Sequence, residues 1–585
     1  MRSGEGGWRG FKIIATIAGR RGTLNRKHRL WLVLFGCLVF VLALMLALEA
    51  PIWAAPSQSP ERQTVPTLDP WIYLPIVVRN SRTPTQEALS YPDRCYDVAA
   101  SGSRPDTFLI SQTTLCRFGF GSTRRPIDQY DSDELARLRA GLYMNWGTSA
   151  AQPQPNGIEY VQTVHVKQWK WKDGQRVYAD FEAPYEIPYT YTISPRGGTL
   201  ETIAQARPGS LWLIGNEIER RDWQTSSGGT SHQDEILPEM YAQAYHEAYT
   251  TIKGADPTAQ VAIGGVIQAT PLRLEYLNRI WDEYYRLYGQ PIPVDWWNVH
   301  AFVLQEKRGD WGADIPAGIA VTEGILYTMN DNKDWSKAAE LIRAFRQWMK
   351  ERGQQNKPLI VSEYSVNMPW FSAEVVRDEF MYPSFEFFLN EKDLNLGYPA
   401  DEYRLVQRWI WYSLDDDSGN FNGFLFYSGH FENPMGLAPL GQYWETYVSN
   451  PISVPVYVDL APVRVSYAPP SLFSSNGESV TATIYAQISN SGNVVVSDPF
   501  AVELWDEDSH QILGSKAISG LAGCGETSAI SVVWTSMSAG AHNVSVRVDT
   551  GSAITESNEV NNQMPAMILV ATQQAFLPLV LRALP

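Results

Sequence analysis

The stretch LWLIGNEIER, Leu211 to Arg220, decides how this chain is read. Large apolar residues run through Ile214 and stop at Gly215-Asn216-Glu217. A short apolar run ending in such a break has the pattern of a buried parallel strand whose last residues emerge into a cleft. In a (β/α) barrel the strand ends carry the chemistry, and a carboxylate placed there needs a partner. PLIVSEYSVN, Pro358 to Asn367, is a second apolar strand ending in a charged residue, Glu363. The two strands are expected to face one cleft.

Outward from these two strands the same pattern repeats. GLYMNWG (Gly141 to Gly147), EYVQTVHVKQWK (Glu159 to Lys170), QVAIGGV (Gln260 to Val266) and VDWWNVHAF (Val294 to Phe302) read as strands. Helical patterns separate them, at Asp131 to Arg139, Ile236 to Ile252 and Leu272 to Tyr288. The run DWSKAAELIRAFRQWMKERG places Leu341, Ile342, Phe345, Trp348 and Met349 on one face and stops at Gly353. RLVQRWIWYSL, Arg404 to Leu414, reads as a helix running into a last strand, while residues 171–195 show no period. Strands alternating with helices predict a barrel or a doubly wound sheet. No Gly-x-Gly-x-x-Gly follows an early strand, so a dinucleotide fold has no support. After Tyr447 the grammar changes to apolar–polar alternation between turns, as in ESVTATIYAQISNSG and HNVSVRVDT, which predicts a sandwich.

At 585 residues the chain is too long for one core. Its formal net charge of -16 repels nucleic-acid backbones, and no basic groove pattern is present. Basic residues instead crowd the N-terminus, from Arg2 to Arg29, ahead of an uninterrupted apolar run from Leu30 to Leu48. That run is a transmembrane anchor with its N-terminus inside, or a signal peptide processed between Ala50 and Ala55. Either places the working part outside the cytoplasm, secreted or held at the cell surface, with the membrane as a partner if the helix is uncleaved. Of four cysteines, Cys95 and Cys116 are expected to form a disulfide, against the alternative of two free buried thiols. None has metal-site spacing, and no cofactor or resident metal is expected.

The expected fold class is therefore α/β. A (β/α)8 TIM-type barrel over 91–450 is followed by an all-β immunoglobulin-like sandwich over 455–570. Before them come a basic tail and membrane or signal helix (1–55) and a Pro/Ser/Thr-rich linker (56–90); an apolar tail, 571–585, closes the chain.

Cleaving an acetal needs a protonated acid at the leaving oxygen and a carboxylate opposite, to attack or to activate water. Glu217 and Glu363 meet that need as strand-end carboxylates, with Asn216 placed to offer an amide to a sugar hydroxyl. GNE at 215–217 with SEYS at 362–365 resembles the retaining (β/α)8 glycoside hydrolases of clan GH-A. The series YMNWG, EYVQTVHV, LWLIGNE, VDWWNVHAF and PLIVSEYS is closer to the compact beta-1,3-glucanase-like barrels of that clan. The resemblance implies Glu217 as acid/base and Glu363 as nucleophile, acting through a glycosyl-enzyme. It implies Asn216 on the hydroxyl beside the scissile carbon, His300 as cleft histidine and Trp411 as aromatic floor. Trp146 and Asn145 are further candidates for the sugar site. His165 is a cleft or a structural histidine, and Tyr364 contacts substrate or faces the neighbouring helix. Two departures stand out: Ile218-Glu219 where relatives often carry Pro, and His300-Ala301-Phe302 where they carry His-x-Tyr. Asp415, Asp416 and Asp417, with Asn420 and Asn422, form an acidic loop read as a groove rim or a solvated turn in preference to a calcium site, whose known loop spacing it lacks. LAPVRVSYAP, ISNSGNVVVSDPFAVELW and DTGSAITESNEVNN resemble CARDB-type modules of bacterial surface proteins.

The function these readings imply is a retaining glycoside hydrolase acting on an extracellular polysaccharide or oligosaccharide, such as a beta-glucan. The alternative is a non-catalytic carbohydrate-binding or adhesion protein of the cell surface.

Overall fold

The computed structural model describes residues 114–177, 183–221, 233–419, 421–431, 433–474 and 477–572. The expected membrane or signal helix, the linker, Cys95 and all but the first two residues of the apolar tail lie outside them. Among the described residues no helix is long and apolar enough to cross a membrane.

The first part is a barrel-like α/β domain. Its parallel strands are Leu115–Gly121, Ala140–Met144, the pair Glu159–Tyr160 and Gln162–Gln168, Leu211–Asn216, Gln260–Gly265, Trp297–His300, Leu359–Tyr364 and Arg408–Tyr412. Each pairs with the next: Leu142 with Glu159, Gln162 with Trp212, Trp212 with Val261, Trp297 with Leu359, and Ile360 with Arg408. An isolated bridge, Ala262 to Trp296, joins the fifth run to the sixth. The last strand pairs back on the first through Phe118 and Trp409. Residues 171–195, which lacked a period, fold out of this series: Tyr191–Ser194 pairs antiparallel on Gln162–Gln168.

Strand alternation sorts the side chains into two layers. Leu142, Leu211, Leu213, Ala262, Ile360 and Ile410 pack together on the inner face. Trp212, Ile214, Trp297, Val299, Val361 and Trp409 point outward, into the larger core shared with the helices. The helix Trp335–Glu351 buries Leu341, Ile342, Phe345, Trp348 and Met349 there. Asp334 caps it by accepting from the Ser336 amide at 3.0 Å, satisfying one of the donors a helix start leaves open.

The second part consists of two antiparallel-dominated sheets around a separate core, consistent with an immunoglobulin-like sandwich. One has the order Leu460–Ala468, Val480–Asn490, Glu526–Met537, and the other centres on Phe500–Asp506, Gly540–Val548 and Gln563–Ala571. Its docking corrects the cysteine expectation. Cys116 is bonded to Cys524, not to Cys95. The reason is the turn after Val480–Asn490, which lies on the start of the first barrel strand: the Cys116 amide donates to Asn493 O at 3.1 Å. Beside it Arg117, fully buried, donates to both oxygens of Asp401 at 2.7 Å, to Asn493 Oδ1 at 2.8 Å and to Ser491 O at 2.9 Å. The sandwich therefore meets the end of that strand where the chain enters the barrel, away from the strand ends that carry Glu217 and Glu363.

Candidate active site

Glu217 follows the strand Leu211–Asn216 through a sharp change of backbone direction. Gly215 has φ +98°, where a Cβ would strike Ile218, and Glu217 itself has φ 47°. A non-glycine residue in this left-handed region costs on the order of 1–3 kcal/mol, and such conformations cluster at functional sites. Asp234, fully buried, holds the turn by accepting from the Asn216 amide at 2.9 Å and the Val166 amide at 3.2 Å.

Glu363 reaches the same place by a β-bulge. His300 stands opposite Glu363, although Val299 stands opposite Val361, so Ser362 is an extra residue in the ladder. The ladder on the other side of this strand shows the same insertion, with Val361 opposite Trp409 and Tyr364 opposite Trp411. Simple alternation from inward Ile360 would turn Glu363 outward; the added residue turns it in and sends Tyr364 out.

The inward side chains converge. One carboxylate oxygen of Glu217, one of Glu363 and a ring nitrogen of His300 all lie within 4.8 Å of one another. His300 Nδ1 is 3.7 Å from Glu217 and Nε2 is 3.7 Å from Glu363, beyond hydrogen-bond range but close enough for charge to be felt. The ring packs on Gly265, where a Cβ would come within 2.5 Å of it. Trp146 Nε1 donates to Glu363 Oε1 at 2.5 Å. Arg220 Nη1 faces both oxygens of Glu217, at 3.3 and 3.0 Å. Both carboxylates are buried, with about 5% of either residue exposed.

Burial drives both carboxyls upward, and their local charges then part them. On Glu217 the Arg220 guanidinium and His300 outweigh burial and hold it below the ordinary carboxylate range. On Glu363 burial prevails over His300, the Glu217 charge adds to it, and the carboxyl is held above that range. The two carboxyls are thus pushed apart, Glu217 down and Glu363 up, and they titrate as one coupled pair.

Of the other expected site residues, Asn216 is buried beside Glu217, and Trp146 lies against Glu363. His165 supports this arrangement from beneath: Nε2 meets Trp146 O at 2.8 Å and Nδ1 meets Asp234 at 3.0 Å. Both ring nitrogens face acceptors, which calls for the doubly protonated ring; burial opposes that charge and Asp234 overrides it. Asn145 is tied at the rim, where its Oδ1 accepts from Tyr160 at 2.6 Å.

Three placements are corrected. Trp411 and Tyr364 are fully buried in the layer between strands and helices, with ring centroids 5.0 Å apart, and neither lines the groove. The bulge turns Tyr364 outward, and its register partner Trp411 shares that face. Tyr412, one residue on, takes the inward place, its ring 5.5 Å from Trp146. Asp415 is not a rim residue either: it is buried and accepts from the amides of Thr123, Arg124 and Arg125 and from Tyr130 Oη.

Of the departures, Ile218 is core and Glu219 is buried on Arg273 at 2.7 Å, so neither enters the groove. Sequence reasoning missed Arg220, Asp234 and Tyr412. For Tyr412 the alternation of RWIWY carried a usable signal. Arg220 and Asp234 lie in a polar loop that carries none.

Glu217, His300 and Glu363 are also the one set among the described residues spaced to hold a metal ion. A metal there would have to displace a guanidinium from one carboxylate and an indole N–H from the other. The donors in place are those of a proton-handling pair.

Residues 459–566 match the family model CARDB, so the chain carries a CARDB-type immunoglobulin-like module. No curated protein matches the chain. Solved structures similar to it include the 272–376 domain of a putative cell surface protein from Methanosarcina acetivorans, 28% identical, covering 20% of this chain and 95% of that one at TM-score 0.16. An FMN-binding beta-glucuronidase from Faecalibacterium prausnitzii L2-6 is 12% identical, covering 79% of this chain and 57% of that one at TM-score 0.29. A family 39 glycoside hydrolase from Bacteroides cellulosilyticus WH2 is 11% identical, covering 73% and 82% at TM-score 0.32. The chemistry is read from the site's own atoms.

Proposed function

We propose that this protein is a retaining glycoside hydrolase of extracellular polysaccharide, built on a closed (β/α)8 barrel, with Glu217 and Glu363 as its carboxylate pair. One observation carries the reading: a carboxylate oxygen of Glu217 and one of Glu363 lie within 4.8 Å of each other. Retaining enzymes hold theirs about 5–5.5 Å apart, whereas inverting enzymes leave roughly 6.5–9.5 Å for a water. Burial and charge push the two carboxyls apart, as a one-acid, one-base pair requires, although it is Glu363 and not Glu217 that is held high without substrate.

The resemblance to clan GH-A supports the roles. Glu363 attacks the anomeric carbon while Glu217 protonates the departing oxygen; Glu217 then removes a proton from the water that releases the sugar. Trp146 Nε1 steadies the ionised form of Glu363, and His300 lies between the two charges. To act as acid Glu217 must carry the proton, which requires the Arg220 guanidinium that holds it low to be drawn away from that carboxylate.

The test is a polysaccharide panel with wild type, Glu217→Gln and Glu363→Gln. Each variant is expected to lose roughly 10²–10⁴-fold in kcat, the usual worth of such a group. Loss in one variant alone breaks the pairing. Equal inertness of all three favours the barrel as a binding or adhesion domain.

A further inference from the structure

Arg220 is a cation placed on an acid. It stands three residues after Glu217, with 18% of its side chain exposed. Nη1 faces Glu217 and Nη2 reaches Gly312 O at a long 3.4 Å. Its Nε, although buried, has no hydrogen-bond partner among the described residues. A buried N–H left unmet is costly, and the edge formed by Nε and one terminal nitrogen is the edge a carboxylate grips with two parallel bonds. His165, Lys167 and Arg221 stand on the same flank, their side chains 22%, 21% and 14% exposed. Asp234 faces the first two and Glu235 the third. Four basic groups thus gather beside the groove of a chain whose net charge is -16.

We propose that Arg220 is the recognition group for the carboxylate of a hexuronic acid, which makes an acidic glycan the substrate class. This rests on the hydrolase reading above. The substrate carboxylate pairs with the exposed part of the guanidinium, draws it off Glu217 and so brings the buried Nε edge to a partner; Glu217, relieved of the charge that holds it low, can then carry the proton an acid needs. Recognition and activation are one movement. A neutral sugar leaves the guanidinium where it is, and Glu217 stays ionised.

The experiment compares kcat/KM of the full chain on β-1,3- and β-1,4-glucans in neutral, C6-oxidised and sulfated forms. Backbone and linkage stay the same while the charged group changes. Wild type is expected to prefer the oxidised glucan over the neutral one by roughly tenfold or more, as a site built to bond a polar group rejects its absence. In Arg220→Gln that ratio falls to near one, and Arg220→Lys, which keeps charge without the fork, lies between. Equal wild-type rates on neutral and oxidised glucan overturn the inference and leave the hydrolase standing. So does an unchanged ratio in Arg220→Gln, or a preference for the sulfated form. Inertness on every glucan overturns both. If Arg220→Gln does not fold, the wild-type ratio and Arg220→Lys still decide.

Discussion

At the residue scale the site depends on single donors. Trp146 Nε1 makes the one hydrogen bond to the Glu363 carboxylate found among the described residues. A bond to the charged form lowers a carboxyl's pKa, so losing it raises a group that burial already holds high. Trp146→Phe is therefore expected to move the pH–rate limb governed by Glu363 toward higher pH and to lower kcat roughly tenfold. The profile of kcat against pH measures it, and a limb that stays put or moves down removes Trp146 from this role. The two carboxylates themselves were legible because an apolar strand has no reason to end in a charge unless that charge faces something open. Arg220 was not, since nothing about Arg in a polar loop tells what it will be folded against.

Among elements, the bulge in Leu359–Tyr364 explains what pattern reading missed. The added residue leaves no mark in composition, yet it exchanges the faces of every position beyond it. Tyr364 faces the helices for that reason, whereas Trp411, on a strand without a bulge, faces them by plain alternation from inward Ile410. The alternating helices and strands, by contrast, were legible because amphipathic spacing survives whatever the tertiary contacts are. The loops over the groove are pinned from the helix Pro271–Tyr288. Its Arg273, fully buried, donates to Glu219 at 2.7 Å and to Ala313 O at 2.8 Å, and pairs with Glu306. Glu219 in turn accepts from the Ile267 amide at 3.0 Å. Arg273→Met leaves two buried carboxylates without their cation, which costs about 3–5 kcal/mol. Denaturant unfolding is expected to register that loss, and a change below about 1 kcal/mol shows that the carboxylates find other partners.

Over the whole molecule, the CARDB-type module is more than an appendage on a linker. Its turn at residues 489–493 shares Arg117 with Asp401 of the barrel-like domain, and Cys524 is bonded to Cys116. No spacing rule on the sequence could have chosen Cys524 for Cys116, because the pairing exists only once the module has docked. Cys524→Ser is expected to lower the thermal midpoint measured by calorimetry, as a native disulfide typically contributes about 2–4 kcal/mol. A midpoint equal to wild type would make the docking contacts sufficient by themselves.

The same bond has a topological outcome. It joins residues 408 positions apart, so nearly all of the barrel-like domain lies inside one covalent ring. A protease that cuts once inside the ring opens it without releasing anything. The cut protein should run as a single species on a denaturing gel and fall into two pieces only after a thiol is added. Wherever reductants are scarce, such a ring keeps a nicked chain in one piece.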